Sequence, residues 1–154
     1  MKITLLIAIP ALFAACGGSA PAPTAPGSPA PEASAPADNF AAQAAAVQAL
    51  YGKQCGECHG KNGNDGKAPP VVGLDTGALP LAPPPNAKLR KSEFKTVADI
   101  ATFVVKTMPP RAPGSLSEED YYAILAFDLK ANGIDLGDKK LDATLAATLE
   151  IPRK

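Results

Sequence analysis

Two thiols and an imidazole fall within five consecutive residues, Cys55-Gly56-Glu57-Cys58-His59. Cysteines at this spacing share one turn, so both sulfurs can add across the vinyl groups of a single porphyrin and form two thioethers. The imidazole that follows is then set against the iron as its proximal ligand. C-x-x-C-H is the attachment signature of a c-type haem. His59 is the single histidine of the chain, so the motif does not arise from histidine abundance. Two other chemistries use such cysteines. A zinc site wants four ligands, and Cys55, Cys58 and His59 supply three, with no fourth nearby except distant carboxylates. A thiol-disulfide site of the thioredoxin kind needs a βαβ context, which the surrounding pattern lacks.

The elements that must position this motif read as helices. Asn39 is a sound N-cap, and Phe40, Ala44, Val47 and Leu50 or Tyr51 recur at helical spacing, which predicts a first helix over Asn39 to Gln54 that ends near Gly52. Cys55 and Cys58 would then lie on the turn that follows. Gly60 to Gly73 is rich in Gly, Asn, Asp and Pro and reads as loop, and the proline-rich stretch 75–91 has little periodicity. Thr96 to Thr107 forms a second helix, with Thr96 and Asp99 as a capping box and Val97, Ile100, Phe103 and Val104 on one face. Met108-Pro109-Pro110 stops it, because the residue before a proline is pushed out of the α region. A third helix spans Ser117 to Asn132, capped by Ser117, with acidic residues at its positive end and Gly133 past its close. A short helix is expected around 142–149. No strand-rich segment appears, so the fold class is all-α.

From Asn39 to about Gly133 the chain resembles a class I c-type cytochrome. The resemblance implies three to five short helices wrapped around one covalent haem c, preceded by a disordered linker. It implies that Met108, the only methionine besides the initiator, offers its thioether sulfur to the iron opposite His59. A His/Met pair raises the reduction potential. Pro69-Pro70-Val71-Val72-Gly73 is similar to the family's Pro-x-Leu-x-Gly loop. There the proline carbonyl accepts a hydrogen bond from the free ring nitrogen of the proximal histidine. Carried over, Pro69 takes that role, or Pro70 if the register slips by one, and Val71 packs on the haem. Ile124-Leu125-Ala126-Phe127 stands where the family crosses its first and last helices. The small side chains from Ala41 to Ala46 suit a close crossing.

Charge is balanced, with 15 basic and 15 acidic side chains in all and 14 against 13 from residue 39 onward, which gives no footprint for nucleic acid. Lys88, Arg90, Lys91 and Lys95 cluster locally, and such a patch is either a solvated surface or a steering patch for acidic partners. Arg90 could instead pair with a haem propionate. Residues 1–15 read as a signal peptide, with Lys2 ahead of an apolar run too short to span a bilayer. Leu12-Phe13-Ala14-Ala15-Cys16-Gly17 resembles a bacterial lipoprotein processing site, which implies cleavage before Cys16 and its acylation. The alternative is an ordinary secretory cut near Ala20 or Ala22. Residues 16–38 hold this cysteine and an Ala/Pro-rich tether that favours extended polyproline II, reaching roughly 68 Å. The haem domain is 39–154. Together these features predict an exported, monomeric electron carrier, not an enzyme, at the periplasmic face of a membrane. It would be held there by a lipid anchor and exchange one electron with a dehydrogenase, reductase or terminal oxidase. The competing reading, should the methionine be labile, is a haem peroxidase or gas sensor.

Overall fold

Asn39 opens the first helix by accepting the Ala42 amide at 2.9 Å through Oδ1, which satisfies one of the amides that a helix start leaves without an intrahelical partner. The computed structural model describes residues 38–79 and 81–152. The leader, Cys16 and the tether through residue 37 lie outside them. Within the described residues the order is α1 (Phe40–Ala46), α2 (Gln48–Gln54), α3 (Gly56–His59), α4 (Val97–Thr107), α5 (Glu118–Ala131) and α6 (Ala143–Thr148). One 3-10 turn occurs at Leu74–Thr76. The only extended pairing there is an isolated antiparallel bridge between Thr96 and Glu150. The fold is all-α.

Six helices exceed the three to five implied by the resemblance, for two local reasons. Val47 divides the first helix, and the attachment motif makes a turn of its own as α3. Val47 stays in the right-handed α region, with φ −89° and ψ −6°. The stripe Phe40, Ala44, Val47 and Tyr51 therefore remains buried through the division. Helical structure runs through Gly52 to Gln54, and Cys58 and His59 sit on the short helix α3 that follows.

The longer helices end where their chemistry dictates. In α4 the Asp99 carboxylate accepts the Thr96 amide at 2.9 Å and the Lys95 amide at 2.8 Å. These two donors hold its carboxyl below the usual range. In α5 the Ser117 hydroxyl accepts the Asp120 amide at 3.1 Å, and Glu118, Glu119 and Asp120 complement the positive end. Gly133 follows with φ +79°, a left-handed closure that suits glycine.

Packing follows the apolar stripes. α1 crosses α5, and Phe40 and Ala44 share one core cluster with Leu125, Ala126 and Leu129. Val47 and Tyr51 form a second with Ala123 and Ile124, and the Tyr51 ring lies 4.5 Å from that of Phe127. The segment after α5 is pinned by Gln43, a fully buried amide that donates to the Leu141 carbonyl and accepts its amide, both at 2.9 Å. It then returns α6 against α4, where the Val97 amide donates to the Leu149 carbonyl at 2.9 Å. Arg90 departs from the surface reading of its cluster. It is buried, donates to the Ala82 carbonyl, and stacks over the Phe94 ring with its guanidinium carbon 4.1 Å from the centroid.

Candidate functional site

Cys55 closes α2 with its amide on the Tyr51 carbonyl at 2.8 Å, and its own carbonyl accepts the Cys58 amide at 3.1 Å and the His59 amide at 2.9 Å. All three motif side chains therefore hang on one turn, with Cys55 half-buried and Cys58 exposed. The loop that follows folds back on this turn. The Ala68 amide donates to the Cys58 carbonyl at 2.8 Å, and the Val71 amide to the Gly63 carbonyl at 2.8 Å. The approach is so close at Gly66 that a Cβ there would lie 2.0 Å from the Cys58 carbonyl oxygen. The fold-back carries the Pro69 carbonyl to 2.9 Å from His59 Nδ1. A carbonyl can only accept, so Nδ1 carries the proton and Nε2 is left with its lone pair as a metal ligand.

Met108 enters from the other side, at the end of α4. Its amide reaches the Val104 carbonyl at 2.7 Å, and its backbone is extended, with φ −126° and ψ 146°, as the following proline requires. Its carbonyl accepts the Tyr121 hydroxyl at 2.7 Å, and that hydroxyl in turn accepts the Gly114 amide at 3.0 Å. Tyr121 thus ties the methionine segment to α5, a role invisible in a helical face that scores it as one more apolar position. Asn132 is a second residue that the sequence does not single out. Its Oδ1 accepts the Gly73 and Leu74 amides at 2.8 and 3.1 Å, and its Nδ2 donates to the Val71 and Asp128 carbonyls at 2.9 and 2.8 Å. It staples the Pro69–Leu74 segment to the end of α5.

Between these two sides lie two adjoining cavities of about 100 and 150 Å³. His59, Val71, Val104, Met108 and Asp128 line both. One cavity runs inward beneath Phe94, Ile100, Phe103 and Leu129, and the other opens past Tyr51, Cys55, Cys58 and Pro109. Two buried oxygens there, Tyr51 Oη and Asp128 Oδ1, have no hydrogen-bond partner. Buried polar groups in native folds are nearly always paired, so these mark a space built for something besides hydrocarbon. An apolar slot with an imidazole nitrogen, a thioether sulfur and two thiols at one edge fits a haem.

The electrostatics argue against thiolate chemistry. Burial, then Asp128 and Cys58, push the Cys55 thiol up to about 12, whereas reactive and metal-binding cysteines are held low. Among the described residues no group of three or more His, Cys, Asp or Glu side chains converges as a metal cage. No described helix is long and apolar enough to cross a membrane.

Residues 42–127 match a family model described as cytochrome c oxidase, cbb3-type, subunit III. Among solved structures, the crystal structure of the sulfane dehydrogenase SoxCD from Paracoccus pantotrophus matches with a TM-score of 0.53 and 28% sequence identity. The match covers 71% of this chain and 53% of that one, so this chain spans about half the length of that protein. No curated protein matches the chain.

Proposed function

This chain belongs to the class I c-type cytochromes, whose business is electron transfer on covalently bound haem, and we propose that it carries one electron at a time on a single His/Met-ligated haem c at the periplasmic face of a membrane. Cys55 and Cys58 would hold the haem through two thioethers, and His59 Nε2 and Met108 Sδ would ligate its iron. When bound, the group supplies a one-electron ferric/ferrous couple. The chain's own contribution is positional. Pro69 fixes the His59 tautomer, Val71, Val104 and Ile100 exclude water from the slot, and Tyr121 holds the methionine segment closed. Were His59 and Met108 both to ligate the iron, substrate would have no open place on it, which favours a carrier over an enzyme.

The observation that carries this reading is that His59 and Met108 line the same two cavities while both cysteines stand at the rim of one of them. The similarity to an oxidase subunit family and to a dehydrogenase supports an oxidoreductase as the electron partner. Export by residues 1–15, acylation of Cys16 and a tether over 17–38 complete the proposal, placing the haem domain as a monomer within reach of membrane-bound enzymes. The direct test is expression alongside a c-type haem attachment system, followed by haem staining on a denaturing gel. A stained band that is lost in Cys55→Ser/Cys58→Ser supports covalent haem; an unstained wild-type band rejects it.

A further inference from the structure

Asp128 is out of place by every rule that shapes α5. It falls on the stripe that faces the cavities, between Leu125 and Leu129 on one side and Asn132 on the other. Its Oδ1 is buried and has no hydrogen-bond partner. An unsatisfied buried carboxyl is costly, and an apolar side chain would avoid that cost. Asn132, one turn on, shows what a structural polar residue looks like here, since its side chain staples backbone groups of two segments together. Asp128 Oδ1 staples nothing.

We infer that Asp128 is a potential-determining residue of the haem site, taking up a proton when the iron takes up an electron. The inference rests on the proposed haem function. The step balances simply. One electron arrives from a reductant protein and one proton arrives from water, so the ferric centre with an Asp128 carboxylate becomes the ferrous centre with a neutral Asp128 carboxyl. Oxidation by the acceptor returns both. The physical cause is the loss of one positive charge from the centre on reduction. In a low-dielectric slot that charge is the main stabiliser of a buried anion.

The surroundings leave Asp128 few competitors. From α2 the facing titratable group is Tyr51, whose hydroxyl is raised far above its ordinary value by burial and then by Asp128. The attachment turn presents Cys55 and Cys58, which no longer ionise as thioethers, and His59. Asp65, in the loop behind, acts on Tyr51. From α4 and the methionine segment come Val104, Phe103, Met108, Pro109 and Pro110, none of which titrates. Burial pushes the Asp128 carboxyl up, to about 8.

The experiment is a spectroelectrochemical titration of the full haem-loaded protein from about pH 5 to 9, wild type beside Asp128→Asn. At fixed electrode potential the wild-type ratio of reduced to oxidised protein should fall as pH rises, approaching about tenfold per unit where one proton accompanies each electron. Asp128→Asn should be flat over that window and more readily reduced at its upper end, where the wild type carries an anion. A flat wild type overturns the inference. So does a pH dependence that survives in Asp128→Asn, which would assign it to the haem propionates. Should that variant fail to load haem, redox-difference infrared spectra of the wild type decide, because a protonated carboxyl band must appear on reduction and its absence is contrary. A chain that carries no covalent haem removes the functional reading itself; a Met-ligated haem chain with a flat potential removes this inference alone.

Discussion

At the scale of single residues, the site depends on a few side chains whose tasks differ in kind. Met108 is proposed as a ligand, and Met108→Ala should leave the haem attached while abolishing the weak far-red absorption of methionine-to-iron ligation and lowering the reduction potential. Retention of that band would show that another group fills the position. Tyr121 acts through Met108. Removing one hydroxyl in Tyr121→Phe should cost about 1 kcal/mol in a urea titration and make the far-red band fade at lower denaturant than the fold itself. A merely structural tyrosine would lose both together. The Cys-x-x-Cys-His motif and Met108 were legible because they declare themselves by type and count. Tyr121, Asn132 and Asp128 were not, because their partners lie far along the chain: Asn132 reaches back 58 to 61 residues to Val71, Gly73 and Leu74. A helical periodicity reports which face a residue occupies but not which distant carbonyl waits there.

At the scale of elements, the caps were readable and the breaks were not. Asn39, Ser117 and Asp142 each accept an amide at the start of a helix, Thr96 donates its hydroxyl to Asp99, and each is a residue type whose short polar side chain favours that position. Val47 offers no such signal, since nothing in its chemistry marks a division between α1 and α2. The capping box of α4 gives a pH prediction. Two amides depress the Asp99 carboxyl in the folded chain, so its contribution is fully present above the unfolded value near 3.9 and is lost as pH falls through the folded one. Asp99→Asn should therefore flatten the acid limb of the stability profile below about pH 4, and an unchanged limb would count against the box. The α1–α5 crossing and the loop staple are worth more. Phe40→Ala should destabilise by about 3–5 kcal/mol, and Asn132→Ala, which leaves several backbone groups unpaired, by about 2–3 kcal/mol. Equilibrium unfolding of the haem-loaded protein measures both.

At the scale of the whole molecule, an apolar slot lined from two sides implies that the porphyrin completes the core. This also accounts for a chain with so few large rings, only 5% of residues being aromatic. Location is a separate proposal resting on residues 1–38. Cys16→Ser should move the protein from the membrane fraction to the soluble one, and an unchanged distribution would dispose of the lipid anchor while leaving the haem domain intact. The central claim, that this chain is an electron carrier with both axial positions filled from its own side chains, is tested most directly by the visible spectrum of the purified protein in its two redox states. The account predicts a sharp c-type ferrous spectrum and, in the oxidised form, the far-red methionine band. A haem spectrum without that band would contradict the carrier, and the absence of haem absorption would contradict the site altogether.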